Sequence, residues 1–241
     1  MSRMTNVVLI WCGPAFVVLF GVGLIPLAQF VPPPSPTDSA AEIQKLYLDN
    51  TTGIRVGMLI TQVASCLVVP WCVGIAMLTK RIRGVPAAYP VMQVATMVMN
   101  AFLALLATLI WLAAAFRPHE LSADTTRVIN DYGWLVLLMA STPMTLYQIA
   151  VGVPILMDRS EHPVFPRWLG YLNLWGAVMV IPTVFIAIFK TGPFAWNGLF
   201  GFYVPLGEFF VCFLLLTFFG IRAARAAAPE EAEQPRELAS V

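Results

Sequence analysis

Hydrophobic positions along this chain gather into six long runs, and the polar residues gather between them. The runs lie near residues 7–30, 54–78, 88–116, 132–157, 167–189 and 195–221. Each is long enough to cross a bilayer as a helix, for which about 20 residues are needed. Lipid offers no partner to a free backbone group, so spanning runs of this kind predict helices with their hydrogen bonds closed internally. The expected fold is therefore all-α, a polytopic six-helix transmembrane bundle over residues 1–225. A tail of Ala, Glu and Pro character, 226–241, is expected to be disordered cytoplasmic chain. The first run has only Arg3 ahead of it and lacks a small-x-small cleavage site before Val31–Pro36, so it reads as a retained span and not a cleaved signal.

Composition agrees with this pattern. Of 241 residues, 59% are hydrophobic and 11% charged, against about 45–50% and about 25% in soluble domains. Lipid must be the solvent for most of the chain, and the bilayer is its first partner. Fourteen basic and thirteen acidic residues leave a net charge of +1, which excludes an electrostatic case for nucleic acid. Orientation follows from the Lys/Arg bias of short loops. With the N-terminus cytoplasmic, the inner side holds nine (Arg3, Lys80, Arg81, Arg83, Arg159, Arg167, Arg222, Arg225, Arg236) and the outer side five (Lys45, Arg55, Arg117, Arg127, Lys190), together the 14 of the chain. Both termini are expected in the cytoplasm. Trp111, Trp134, Trp168 and Trp196 fall near the proposed interfaces and are expected to anchor there.

Between the first two runs, Pro32–Pro36 predicts stiff extended chain, followed by Ser39-Ala40-Ala41-Glu42, a capping-box pattern. Ile43, Leu46 and Tyr47 then share one face, so residues 39–50 are expected to form an amphipathic helix on the outer surface or over the bundle mouth. Odd-numbered runs begin near 7, 88 and 167, which divides the chain into three two-helix units entering in the same orientation. Parallel repeats of this kind differ from the inverted repeats of many carriers.

Several chemistries are excluded. His119 and His162 lie in loops on opposite sides, which removes multi-His di-iron sites and bis-His haem. Cys12, Cys66, Cys72 and Cys212 sit within apolar runs with no C-x-x-C pair, so neither a zinc site nor a dithiol centre is expected. No phosphate-binding loop is present. No metal and no cofactor are expected, and Asn50-Thr51-Thr52, formally a glycosylation sequon, is read as chance.

Polar side chains at membrane depth are costly and therefore informative. Glu208 is the sharpest, about twelve residues from either end of its run. Pro205 and Gly207 beside it predict a broken helix, a common way to build a cleft in a membrane. Asn100, Gln148 and Asn173 sit at compatible depth and are the other candidate residues of a ligand or proton site; no catalytic residue can be named. Ser141-Thr142-Pro143 predicts a kink in the fourth span, and Asp131 is expected to meet Arg127 or Arg55 at the outer rim.

Phe165-Pro166-Arg167-Trp168-Leu169-Gly170-Tyr171-Leu172-Asn173-Leu174-Trp175, with Lys190-Thr191-Gly192-Pro193-Phe194-Ala195-Trp196-Asn197-Gly198, resembles a family of small six-span bacterial integral membrane proteins, mainly actinobacterial. The resemblance covers the last third of the chain. It implies a bacterial inner-membrane address and brings no chemistry. Three functions stay open: a carrier or binding protein for a small lipophilic molecule using an intramembrane acid, for which six spans are few and a homo-oligomer is expected; an accessory subunit of a larger membrane complex; and a cofactor-free isomerase or cyclase acting on a lipophilic substrate.

Overall fold

A computed structural model describes residues 2–226, so the expected tail 227–241 lies outside the described residues. Span one is α1 (Arg3–Val22) continued by a π-turn, Gly23–Leu27. A short surface helix, α2 (Ala40–Asp49), precedes span two, α3 (Thr51–Thr79), and span three, α4 (Ala88–Phe116). Span four is two helices, α5 (Ala123–Leu138) and α6 (Ser141–Met157). Span five is α7 (Arg167–Met179) followed by a 3-10 segment, Ile181–Ala187, and span six is a π-turn, Leu199–Tyr203, leading into α8 (Val204–Ala226). Among the described residues there is no strand, and six segments are long and apolar enough to cross a membrane.

Consecutive spans pack against one another, and α8 returns against α1, so the six spans form a closed ring. Two side-chain clusters fill its centre. In the half away from α2, Trp71 stacks on Phe213 with ring centres 3.9 Å apart, and its indole N–H donates to the Thr217 hydroxyl at 2.8 Å. On the α2 side, Phe30, Tyr47, Trp111, Trp134 and Phe202 interlock, with Phe30–Trp111 and Trp111–Trp134 ring centres 5.0 Å apart. Gly133 makes this cluster fit, because any Cβ there would collide with the Trp111 indole. The expectation that Trp111, Trp134 and Trp196 anchor at an interface is therefore corrected. All three are buried, and only Trp168 of the four is exposed. Trp134, whose N–H has no partner, is held by ring packing against Trp111, Phe30 and Phe202; for the other two the polar tip decides it, since the Trp111 indole N–H donates to the Asn130 carbonyl at 3.2 Å and that of Trp196 to the Pro34 carbonyl at 2.7 Å. With the N–H satisfied inside, the ring gains nothing from the headgroup layer.

The surface helix forms as its residues dictate. The Ser39 hydroxyl accepts from the Glu42 N–H while the Glu42 carboxylate accepts from the Ser39 N–H at 2.7 Å, a reciprocal box. The Ser39 hydroxyl, which also donates to that carboxylate at 2.7 Å, and after it the Ser39 N–H hold the Glu42 carboxyl below its ordinary range. Ile43 and Tyr47 are buried against the aromatic cluster, and the Tyr47 hydroxyl, kept neutral by burial and by nearby Asp131, donates to Asn130 at 3.2 Å. The Asn50 amide donates to the Leu27 carbonyl at 2.8 Å and ties the end of span one to α3, so this sequon asparagine is a structural strut.

Two rim expectations change. Arg55 caps α4 by donating to the Ala115 and Phe116 carbonyls at 2.8 and 2.7 Å, and Arg127 pairs with Asp124 at 3.2 Å, so neither meets Asp131. Four unpaired carbonyls end every helix, and a guanidinium satisfies two of them at once. Span four breaks at Met139–Ala140, just before the Ser141-Thr142-Pro143 triplet, whereas span two, its suggested repeat partner, is one continuous helix.

The α6–α7 loop is organised by Asp158. Its carboxylate accepts from the Ser160 hydroxyl at 2.6 Å and from the Ser160 and Val164 N–H groups at 3.1 and 3.0 Å. Burial acts to raise this carboxyl, but these hydrogen bonds, the Ser160 hydroxyl foremost, and nearby Arg167 outweigh it and hold the group below its ordinary value. A depressed folded-state pKa contributes stability that is complete above the unfolded value, about 4, and is lost as pH falls through the folded value. Asp158→Ala is expected to cost about 1.5–3 kcal/mol at neutral pH. Thermal unfolding in detergent should show the gap between wild type and variant closing as the pH is lowered through that window, and a gap independent of pH would refute the assignment.

Candidate functional site

Between the two central clusters the ring is not filled. A cavity of about 220 Å³ remains, larger than the engineered 150 Å³ cavity that takes up benzene. Phe16, Val68, Met97 and Met144 from the first cluster face it from one side, and Leu24, Trp134 and Phe202 from the second face it from the other. Small side chains keep it open, with Gly21, Ala101, Ala104 and Ala140 all in its wall.

Its backbone setting is unusual. The π-turn of span one supplies Leu24 and Ile25, the α5–α6 break supplies Ala140, the 3-10 segment of span five supplies Thr183, and the π-turn of span six supplies Phe202. Spans two and three, continuous helices, close the remaining wall with Ser65, Asn100 and their neighbours. Irregular backbone at membrane depth is tolerated where it is buried in protein or borders a cavity, and π-turns recur at functional sites. Four such departures surround one space.

The wall is almost wholly apolar, and no ionisable side chain belongs to it. Four polar residues interrupt it: Ser65, Asn100, Ser141 and Thr183. The Ser65 hydroxyl is returned to the Thr61 carbonyl at 2.8 Å, and the Asn100 amide to the Thr96 carbonyl at 3.0 Å. Ser141 and Thr183 differ. Both hydroxyl oxygens, like the indole nitrogen of Trp134 in the same wall, are buried without a hydrogen-bond partner and without accessible surface toward the cavity.

No family model, no curated protein and no solved structure matches this chain.

The residues picked from the sequence separate into two places. Asn100 lines the cavity; Glu208, Gln148 and Asn173 do not. Glu208 accepts from the Gln148 side-chain N–H at 2.5 Å, with the Cys212 thiol, one turn further along α8, as its other polar neighbour. This pair occupies the seam of α6, α7 and α8, and Gly176 of α7 makes room for it, since a Cβ there would run into the Glu208 carboxyl and the Gln148 amide. Asn173, fully buried on α7, turns its amide back to the Leu169 carbonyl at 2.7 Å. Along each element the acid seam is one turn or less from the cavity wall, because Met144, Val180 and Phe209 line the cavity and stand four, four and one residue from Gln148, Gly176 and Glu208. Pro205 does not interrupt a helix as expected. It is the second residue of α8, which continues directly from the π-turn Leu199–Tyr203, so the irregular backbone lies just before it and the helix runs on through Gly207 and Glu208.

Ser65, Ser141 and Thr183 were missed by looking for amides and acids. The available signal was the co-occurrence of small residues at mid-span, Ala101 with Ala104 and Ala140 with Ser141, which marks either close helix packing or unfilled space. Among the described residues no three His, Cys, Asp or Glu side chains converge on a point.

Gly176 gives the seam a direct test. Gly176→Ala should push the carboxyl and amide apart and cost about 1–3 kcal/mol. Glu208→Ala removes the obstacle, so the double variant should cost clearly less than the two single costs added together. Strict additivity in thermal unfolding would show that the glycine is not there for the pair.

Proposed function

We propose that this protein binds a small lipophilic molecule inside the membrane, in the cavity at the centre of its six-span ring, and serves as its carrier or receptor. The observation that carries the reading is the apolar space inside the ring bordered by four backbone departures from α-helical geometry. A bundle selected only to pack would fill the centre with side chains, as the half around Trp71 and Phe213 does. The wall offers no acid or base, which weighs against isomerase or cyclase chemistry at this place, since such chemistry needs positioned proton donors and acceptors. Glu208 stands behind the wall and supports its floor by holding α6 to α8.

We place the protein in a bacterial inner membrane with both termini in the cytoplasm. Nine Lys and Arg on that side against five on the other support the orientation. Reporter fusions to the two ends should both give cytoplasmic signals, and one periplasmic signal would overturn the topology.

Binding is tested through Trp134, which is buried and lines the cavity. Tryptophan emission of the purified protein should be quenched by n-octyl bromide with a saturable component. That component should vanish in Trp134→Phe and in Ala104→Phe, which places a ring in the cavity. Quenching left unchanged by both substitutions would refute the reading.

A further inference from the structure

The cavity is not sealed on every side. We propose that spans one and six part to form a side entrance from the bilayer, and that the ligand is the hydrocarbon chain of a membrane lipid, whose head stays outside while the chain end enters. The proposal rests on the reading that the cavity binds a lipophile.

Spans one and six run antiparallel and meet closely in the half away from α2. A Cβ on Gly220 would stand 3.5 Å from the Ile10 side chain, and one on Gly13 would stand 3.1 Å from the Thr217 hydroxyl. Phe16 comes next, its ring centre 5.3 Å from that of Phe213 and 6.2 Å from that of Phe209. Beyond Phe16 the contact ends. A Cβ on Gly21, the one glycine of the cavity wall, would meet no atom within 4 Å. The π-turn that continues span one packs against α3, whereas the π-turn of span six packs against the 3-10 segment of span five. Each is held by a different neighbour, so the seam opens from a glycine contact into a gap.

This gap is where the wall meets lipid. In the register set by Gly13 with Thr217 and Phe16 with Phe213, Gly21 falls opposite Phe209 and Ile25 opposite Pro205. All four belong to the cavity wall. Ile25 is nevertheless exposed, and Phe210 beside Phe209 is partly so. Residues that line the cavity and also face outward mark its mouth. The mouth lies at the level of the two π-turns, in the half nearer α2, so the chain comes from the leaflet on that side.

The space suits a chain and not a head group. No Lys, Arg, His, Asp or Glu belongs to the wall, and a charged head would enter without a partner, which the membrane interior penalises severely. A volume of about 220 Å³ is below the usual range of about 300–1,000 Å³ for a whole drug-sized ligand. A chain end fits, and the rest of the molecule needs a place outside. A side entrance supplies that place, because the chain can bend in at the mouth while its head keeps its water. Lipid tails are as apolar as the wall, so the gain comes from dispersion contacts that an unfilled space denies to its lining.

The test uses the purified full-length protein in phosphatidylcholine vesicles that contain a phosphatidylcholine with a diazirine at the end of one acyl chain. After illumination, labelled residues are located by mass spectrometry. Met97 and Met144 line the cavity and are buried, so a chain must be inside to reach them. The lipid probe should label both in wild type. Gly21→Phe places a ring in the mouth where no atom has to move, and should abolish this labelling while leaving that of exposed Phe102 and the thermal stability unchanged. Gly207→Phe should leave all labelling as it is, since Gly207 is an equally open, exposed glycine of α8 outside the wall. Octane carrying the same diazirine is the second probe, and comparing the two in wild type needs no variant. Labelling of Met97 and Met144 by the octane probe but not by the lipid would overturn the proposal with the lipophile site intact. So would lipid labelling that survives Gly21→Phe, or that is lost equally in Gly207→Phe. Labelling by neither probe would remove the lipophile site and this proposal with it.

Discussion

A backbone amide or carbonyl facing hydrocarbon has nowhere to bond, and this constraint governs the rest of the structure. Spans two and three obey it in the simplest way, as unbroken helices of 29 residues each. Spans one, four, five and six break the helical ladder, and each break is turned inward to the same space. Placing the breaks there covers one face of each with protein, while Ile25, Ile181, Phe185, Leu199 and Tyr203 of the same segments stay exposed on the other. The cavity and the irregular backbone are thus one feature.

The two central clusters then act as its ends. Trp71 and Phe213 close one side, with the indole held by Thr217. Trp111, Trp134, Phe30 and Tyr47 close the other, with Asn130 accepting from both Trp111 and Tyr47. Helix α2 lies over this second cluster with Ile43 and Tyr47 inserted and its charged face outward. In a membrane the hydrophobic effect gives little reason for one apolar surface to prefer another, so packing and interhelical hydrogen bonds must hold these ends in place. Large rings with one satisfied polar tip supply both. A route for a ligand through either end would have to displace several interlocked rings. The wall itself includes Ile25 of the π-turn, which is 53% exposed, and Phe210 of α8, which is partly so. Exchange with the surrounding lipid is easier through this flank than through either plugged end.

Much of this architecture is legible in the sequence because lipid imposes so strong a rule. Six apolar runs became six spans, and Ser39 to Glu42 gave the surface helix its start, since a capping box depends on neighbours in the chain alone. The meeting of Glu208 and Gln148 could be anticipated in kind, because a mid-span acid needs a polar partner, but depth by itself put Asn100 ahead of Gln148, and the Asn100 amide is returned to the Thr96 carbonyl. The cavity was not legible. A cavity is defined by what side chains from six segments fail to fill, and no local pattern reports that. The π-turns are equally silent: Gly23-Leu24-Ile25-Pro26-Leu27 and Leu199-Phe200-Gly201-Phe202-Tyr203 read as ordinary apolar helix. Tryptophans misled for a related reason. Their preference for interfaces is an average over rings whose N–H lacks an internal partner; here Asn130 and Pro34 provide one for Trp111 and Trp196, and Trp134 is held inside by the rings around it.

The separation of Glu208 from the cavity changes what the acid is for. An ionisable group inside a membrane is by default a functional candidate, and an acid in the cavity wall would have pointed to proton chemistry on the ligand. At the α6–α7–α8 seam, with Gly176 cut away to admit it, the carboxyl instead does what a large apolar side chain could not. It joins α6 and α8 through a directional bond about two turns along α6 from the break at Met139–Ala140. Met144 of α6 and Phe209 of α8, which line the cavity, stand beside this bond. The bond therefore holds the two helices at a fixed spacing next to the unfilled space, where apolar packing alone has nothing to press against.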